Sequence, residues 1–221
     1  MNTEEEWVKG VIKNRKNDLY MFLNIGTSGL PHKNYGKYYN YKETNRYNTS
    51  RIVQLSWIIC SSGGEIKSKK NHYFTPDDFE ISDSAIGIHG VSQEYAKKNG
   101  EDPALVLDMF LDDLEKATTV ISHNLEFDYN VLSSESYRHD NKKLPILLNS
   151  TTKICTGIST KDLLKLDNGK NDFKMPKLSE LYYFCYKKNL KQDNNNVVMN
   201  NLEALVKIFY YLKMKYKFGK K

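Results

Sequence analysis

Apolar positions along the chain recur in two periods, and their boundaries divide it into strands and helices. Leu19 to Ile25 is a short apolar run that passes into the polar turn Thr27-Ser28-Gly29. Residues two apart on a strand share a face, so Asn24 and Gly26 are displayed together at the strand's end. Arg51 to Cys60 alternates Val53, Leu55, Trp57 and Ile59 against Gln54 and Ser56. The turn Ser61-Ser62-Gly63-Gly64 then leads into a further strand over Glu65–Phe74, which predicts an antiparallel hairpin beside the first strand. Between these strands, Gly29 to Ser50 is polar and rich in Tyr, Asn and Lys, and too long for an ordinary turn. Such a segment is expected to be functional or mobile.

Helical spacing accounts for the other apolar positions. Thr3-Glu4-Glu5-Glu6 has the form of a capping box, and Trp7, Val8, Val11 and Ile12 follow at helical intervals, predicting a helix over Glu4–Asn17. Ser92, Glu94 and Gly100 bracket a short helix. Pro103 opens another, whose Leu105, Met109, Leu111 and Leu114 are expected to face a core. Thr118–Ser122 reads as a strand, and His123-Asn124-Leu125-Glu126-Phe127-Asp128 leads into a helix carrying Val131 and Leu132. Lys143–Asp172 is ambiguous, with a strand expected at Lys153–Thr156 and a short helix near Lys161–Leu166. Pro176 begins a helix with Leu178, Leu181, Phe184 and Cys185, and a last helix runs from Met199 to Tyr216 after the Asn-rich Asp193–Asn196. Strands interleaved with helices, with an early hairpin, predict an α/β fold with a mixed sheet.

The 221 residues are expected to form one domain with its core over residues 19–212, preceded by the short helix of residues 4–17 and followed by a basic tail over residues 213–221. No apolar run reaches the length of a membrane span, and the opening MNTEEEW is acidic where a signal peptide would be basic. An intracellular location follows as an expectation, with no membrane partner. Cys60, Cys155 and Cys185 lie far apart with no CxxC pair, which points to buried free thiols. A net charge of +6 permits a polyanionic partner, although the basic residues are spread out, with runs at Lys67–Lys70, Lys187–Lys191 and Lys213–Lys221. Richness in Asn, Lys, Ile and Tyr indicates an AT-biased genome and leaves a viral source open.

Several phrases in sequence order resemble the DEDD-type 3′→5′ exonuclease superfamily, the group of polymerase proofreading subunits and RNase T. FLNIGTSGLP sits where that family has a phrase like FDTETTGLP, and RIVQLSWIIC matches its next strand. IHGVSQEYAKKNG and VISHNLEFDYNVL resemble its following segments; PKLSELY and NLEALVKIFYYL match those around its third motif. The resemblance covers Leu19 to Leu212 and implies a ribonuclease H-like fold with a mixed five-stranded sheet flanked by helices. It also implies the DEDDh chemistry, in which four carboxylates hold two divalent cations and a His serves as general base.

Carried over residue by residue, that pattern finds only one of its groups in this chain. The first-strand Asp falls on Asn24 and the Glu on Gly26, while Asp128 keeps the second-motif carboxylate. The third-motif His and Asp fall on Asn196 and Asn201, with Leu202-Glu203-Ala204-Leu205 fixing the register. Four negative charges thus fall to one, each loss worth several kcal/mol at an effective dielectric of about 20. Tight two-metal binding is expected to fail, so no cofactor is expected, or Mg²⁺ or Mn²⁺ if the chain is active.

The residues themselves leave other roles open. Asp128 can equally satisfy backbone N–H groups at a helix start, and His89 and His123 can be turn or core histidines. Glu126, Glu203 and Asp193 could replace lost ligands, but nothing in their spacing recommends them. A domain of this kind could hold single-stranded DNA or RNA through the backbone of Thr27, Ser28 and Gly29 and through His89, His123 and Asn124. Three functions remain: an inactive exonuclease-like protein that binds nucleic acid or a protein partner, an active metal-dependent exonuclease, and an assembly protein that has kept only the fold.

Overall fold

In a computed structural model that describes residues 3–169, 172–191 and 196–219, the elements follow the expected order. They run α1 (Thr3–Asn14), β1 (Leu19–Thr27), β2 (Lys33–Asn34), β3 (Lys37–Tyr38), β4 (Ile52–Ser61), β5 (Ile66–Tyr73), α2 (Asp83–His89), α3 (Gln93–Asn99), α4 (Pro103–Lys116) and β6 (Thr119–Ser122). Then come α5 (Leu125–Arg138), α6 (Lys143–Ser150), β7 (Thr152–Cys155), the single turns α7 (Thr156–Ser159) and α8 (Lys161–Leu164), α9 (Leu178–Tyr186) and α10 (Val197–Tyr216).

The main sheet has five strands in the order β5-β4-β1-β6-β7. β1 pairs antiparallel with β4 and parallel with β6, so the sheet is mixed, in the ribonuclease H-like arrangement. The alternation along β1 sorts its two faces. Met21, Leu23 and Ile25 join Leu55, Trp57 and Ile59 of β4 against α1, α4, α5 and α6. Tyr20 and Phe22 join Ile58 and Cys60 against Met199, Leu202, Leu205, Val206 and Phe209 of α10. Ring edges tighten this second layer, with Phe22 and Phe209 centroids 5.3 Å apart at 76°.

Several sequence expectations shift. The first helix begins at Thr3 itself and stops at Asn14, short of Asn17. Leu105 is 63% exposed; the core face of α4 is instead Val106, Leu107, Phe110, Leu111 and Leu114. The Gly29–Ser50 segment is not a free loop. Tyr47 is buried and donates its hydroxyl to Tyr39 O at 2.6 Å, and Tyr41 sets its ring edge-on to Tyr129 and Tyr137. Cys60 and Cys185 are buried thiols, whereas Cys155 is half-buried and donates to His123 O at 3.1 Å. Asp193 and the tail end Lys220–Lys221 lie outside the described residues. Among the described residues no helix is long and apolar enough to cross a membrane.

Candidate functional site

The face of the sheet beneath α10 changes character along its length. At one end it is the apolar set Tyr20, Phe22, Ile58 and Cys60; at the other, the same alternation brings up Asn24 and Gly26 on β1, opposite Ser56 and Gln54 on β4. Asn71 of β5 lies across from Ser56 and completes the polar strip. The first turn of α10 covers this strip.

Uncharged amides join the two layers. Asn24 donates Nδ2–H to Val198 O at 2.9 Å, pinning the helix start to the strand. Gln54, fully buried, donates from Nε2 to Asn71 Oδ1 at 2.7 Å and to Asn196 Oδ1 at 3.0 Å. Ser56 donates its hydroxyl to the same Asn71 oxygen. Gln54 Oε1 is buried with no partner among the described residues. At Gly26 the space for a side chain is tight: a Cβ there would lie 3.1 Å from Val198 Cγ2 and 3.5 Å from the His89 ring.

Beside this contact opens a cleft of about 400 Å³, in the range of small-ligand sites. Asn24, Gly26, His89 and Asn201 line it together with the apolar Leu30, Ile88, Phe127 and Val198. The cleft thus gathers three of the five positions that the family resemblance singles out. Asn196 sits in the amide chain instead. Asp128 does not line the cleft, although its neighbour Phe127 does. It is buried, accepts a hydrogen bond from Ser122 Oγ, and its pKa is pushed by burial up to about 7, against the effect of that bond.

The remaining candidates hold the walls. His89 closes α2, a helix capped by Ser82 Oγ on Ala85 N and ended by Gly90 at φ +79°. Its Nδ1 accepts from Val91 N at 3.1 Å, which makes Nε2 the donor to Thr27 O at 3.1 Å. Burial lowers its pKa, against the Thr27 bond, and the ring stays neutral. His123 is likewise lowered by burial; its Nε2 bonds Pro176 O at 2.8 Å and its Nδ1 pairs with Thr156 Oγ1 at 3.0 Å. Asn124 is exposed at the start of α5, where its carbonyl accepts from Asp128 N.

The turn after β1 is occupied by internal bonds. Ser28 donates N–H to Arg51 O at 2.8 Å and accepts Arg51 N–H on Oγ at 3.0 Å. Thr27 Oγ1 is bonded to Gly29 O at 2.8 Å, so the Ser28 amide and the Thr27 hydroxyl are not turned outward to a ligand. Gly29 is required by close approach, because a Cβ would lie 2.6 Å from Thr49 O. Arg51 is fixed in turn by Glu135, with Nε–Oε1 and Nη2–Oε1 distances of 3.0 and 2.8 Å, and by Asp78 at 2.7 Å.

A centre for two hard dications needs several oxygens, mostly anionic. Here Asn24 aims its NH₂ at a backbone carbonyl, Gly26 has no side chain and is crowded by Val198, and the nearby Asp128 is buried against Ser122. Among the described residues no three His, Cys, Asp or Glu side chains are grouped to hold a metal ion. Among the described residues, the donor set does not fit a two-cation centre. Val198, Gln54 and Asn71 were not among the sequence candidates; the only available signal was that Gln54 and Ser56 interrupt an apolar strand.

A family model described as RNase T exonuclease matches residues 43–188. The chain belongs to this exonuclease family. Solved exonuclease structures share the fold across most of the chain. Exonuclease I of E. coli, in a zinc-bound complex with single-stranded DNA, superposes with a TM-score of 0.68 at 16% identity, over 92% of this chain and 42% of that one. The same enzyme in complex with a dA16 oligonucleotide gives 0.65 at 15% identity, over 89% and 41%. This RNase T-family chain therefore spans less than half the length of those exonuclease chains. A search of curated proteins finds no match.

Proposed function

We propose that this exonuclease-family protein holds the 3′ end of single-stranded nucleic acid in the cleft beside Gly26 and does not cut it. The observation that carries the reading is the packing of Val198 on Gly26, with Asn24 turned to Val198 O. Together they replace ligand oxygens with a methyl group and an amide donor. The cleft wall supports binding: Leu30 and Ile88 are 76% and 72% exposed beside Phe127, offering apolar surface to a base. Losing three carboxylates would also lessen the repulsion of phosphate. Exonuclease I bound to single-stranded DNA gives the same fold a nucleic-acid precedent.

Two measurements test this. Labelled single-stranded DNA and RNA are titrated with the protein at rising salt, and salt-sensitive binding is expected; no binding at low salt overturns the reading. End-labelled oligonucleotides are then incubated with the protein and Mg²⁺ or Mn²⁺. No shortening is expected, and metal-dependent shortening that vanishes in Asp128→Ala would show an active exonuclease instead.

A further inference from the structure

A second groove adjoins the cleft across the first turns of α10. Asn201 lines the cleft; its neighbour Asn200 lines the groove, a hollow of about 420 Å³ between α10 and the end of α9. Lys188, Lys191 and Lys207 line it together with Tyr182 and Glu203. All three lysines are exposed, and among the described residues none of them has a carboxylate partner. The one acid among the described lining residues, Glu203, is paired with Lys69 of β5. Among the described residues the three lysines therefore form a cationic cluster without paired acids, unlike a solvated helix face with opposite charges interspersed.

Tyr182 in the groove wall is backed by two further rings, tilted on one another at 44° and 54°. Tyr182, Tyr186 and Tyr211 run in sequence, with centroids 4.8 and 5.3 Å apart. Tyr186 donates its hydroxyl to Lys207 O at 2.8 Å, which fixes the ladder beside that lysine. Lysines along a groove floor with an aromatic side chain in the wall suit a flexible polyanion whose bases can stack, more than a compact anion or an acidic peptide.

We propose that this groove is a second contact site for single-stranded nucleic acid, carrying the backbone just upstream of the end held in the cleft. The proposal rests on the nucleic-acid reading above, and the experiment separates the two. Fluorescence anisotropy is measured with oligonucleotides of about 4 and about 16 nucleotides, for the parent and for Lys188→Gln/Lys191→Gln/Lys207→Gln. The three changes are on exposed side chains, and an unchanged thermal melt confirms the fold. Removing up to three phosphate contacts is expected to lower the salt slope for the long oligonucleotide by about 2 and to weaken it roughly tenfold at low salt. The short one should keep its affinity.

An unchanged slope in the triple variant overturns the groove and leaves the cleft reading standing. Binding of the long but not the short oligonucleotide by the parent, lost in the variant, upholds the groove and overturns the cleft. Failure of the parent to bind either overturns both. Equal affinity for polyglutamate of matched charge also overturns the proposal, since stacking would then count for nothing.

Discussion

Val198 stands where a side chain on Gly26 would have to go. A Cβ at residue 26 would meet Val198 Cγ2 at 3.1 Å, and the backbone oxygen of that same valine accepts from Asn24. One residue of α10 thus answers both of the strand positions at which the exonuclease resemblance places acids.

Gly26→Ala is expected to destabilise the protein by about 1 kcal/mol or more, as overpacking does. Val198→Ala costs a similar amount through lost packing. The double variant should lose less than the sum, because the shortened side chain makes room for the new methyl. Urea denaturation of the four proteins measures the coupling, and strict additivity would contradict the contact.

Asn24→Asp, Gly26→Glu, Asn196→His and Asn201→Asp together restore the family's acids and base in name. With Val198 in place the glutamate is crowded at its Cβ and displaced from a ligand's position, so calorimetry with Mn²⁺ should detect no tight binding. Adding Val198→Ala should produce measurable binding. Tight binding by the fourfold variant alone would refute the steric account.

Asp128 carries a pH dependence of unusual sign. Burial raises its carboxyl from 3.8 to about 7, whereas in the unfolded chain it returns to the ordinary value. Between those values the folded state holds a proton that the unfolded state lacks, so the stability from this group is full below about pH 4 and is lost as pH rises to about 7. Asp128→Asn is expected to be more stable than the parent at pH 8, with the advantage shrinking toward pH 4.5. Chemical denaturation at the two pH values checks this.

The pair Arg51–Glu135 is buried on both sides, at 5% and 3% side-chain exposure. Arg51→Met leaves the Glu135 carboxylate without its bidentate partner and should cost about 3–5 kcal/mol. Arg51→Met/Glu135→Leu should recover much of that, read as melting temperature. His139, 3.2 Å from Glu135 Oε1, compensates only when protonated.

The Gly29–Ser50 segment should resist proteolysis, since Tyr47 is buried and Arg138 donates to Thr44 O at 2.7 Å. Tyr47→Ala is expected to cost about 3–5 kcal/mol and to open the segment to cleavage. Rapid nicking of the parent there would show that these contacts do not hold it.

What the sequence made legible follows the strength of each local signal. β1 was readable as an apolar run entering a Gly-bearing turn, β4 by its alternation, β5 as the strand that follows the Ser61–Gly64 turn, and α10 because its apolar stripe is long. α2 was missed, a helix of seven residues with Gly87 inside it, and so was α6, where Pro145 in the first turn reads as a breaker but is tolerated. Leu105 misled because one turn of helix offers two overlapping apolar stripes, and only packing against the sheet chooses between them. The candidate site was half legible. The family resemblance set Asn24, Gly26 and Asn201 together, but nothing local announces that Val198 packs on Gly26 or that Gln54 reaches Asn196. Those are contacts between residues more than a hundred positions apart.

α10 runs for 20 residues, about 30 Å at the usual rise. Asn24 holds its first turn, while in its last turn Lys213 donates to Ser62 O at 2.8 Å and lies over the Tyr20 ring. The helix is thus tied to the sheet at both ends. On the reading proposed above, α10 would roof the cleft as a beam already seated on the sheet, and a strand end would need no closure of that helix to be held.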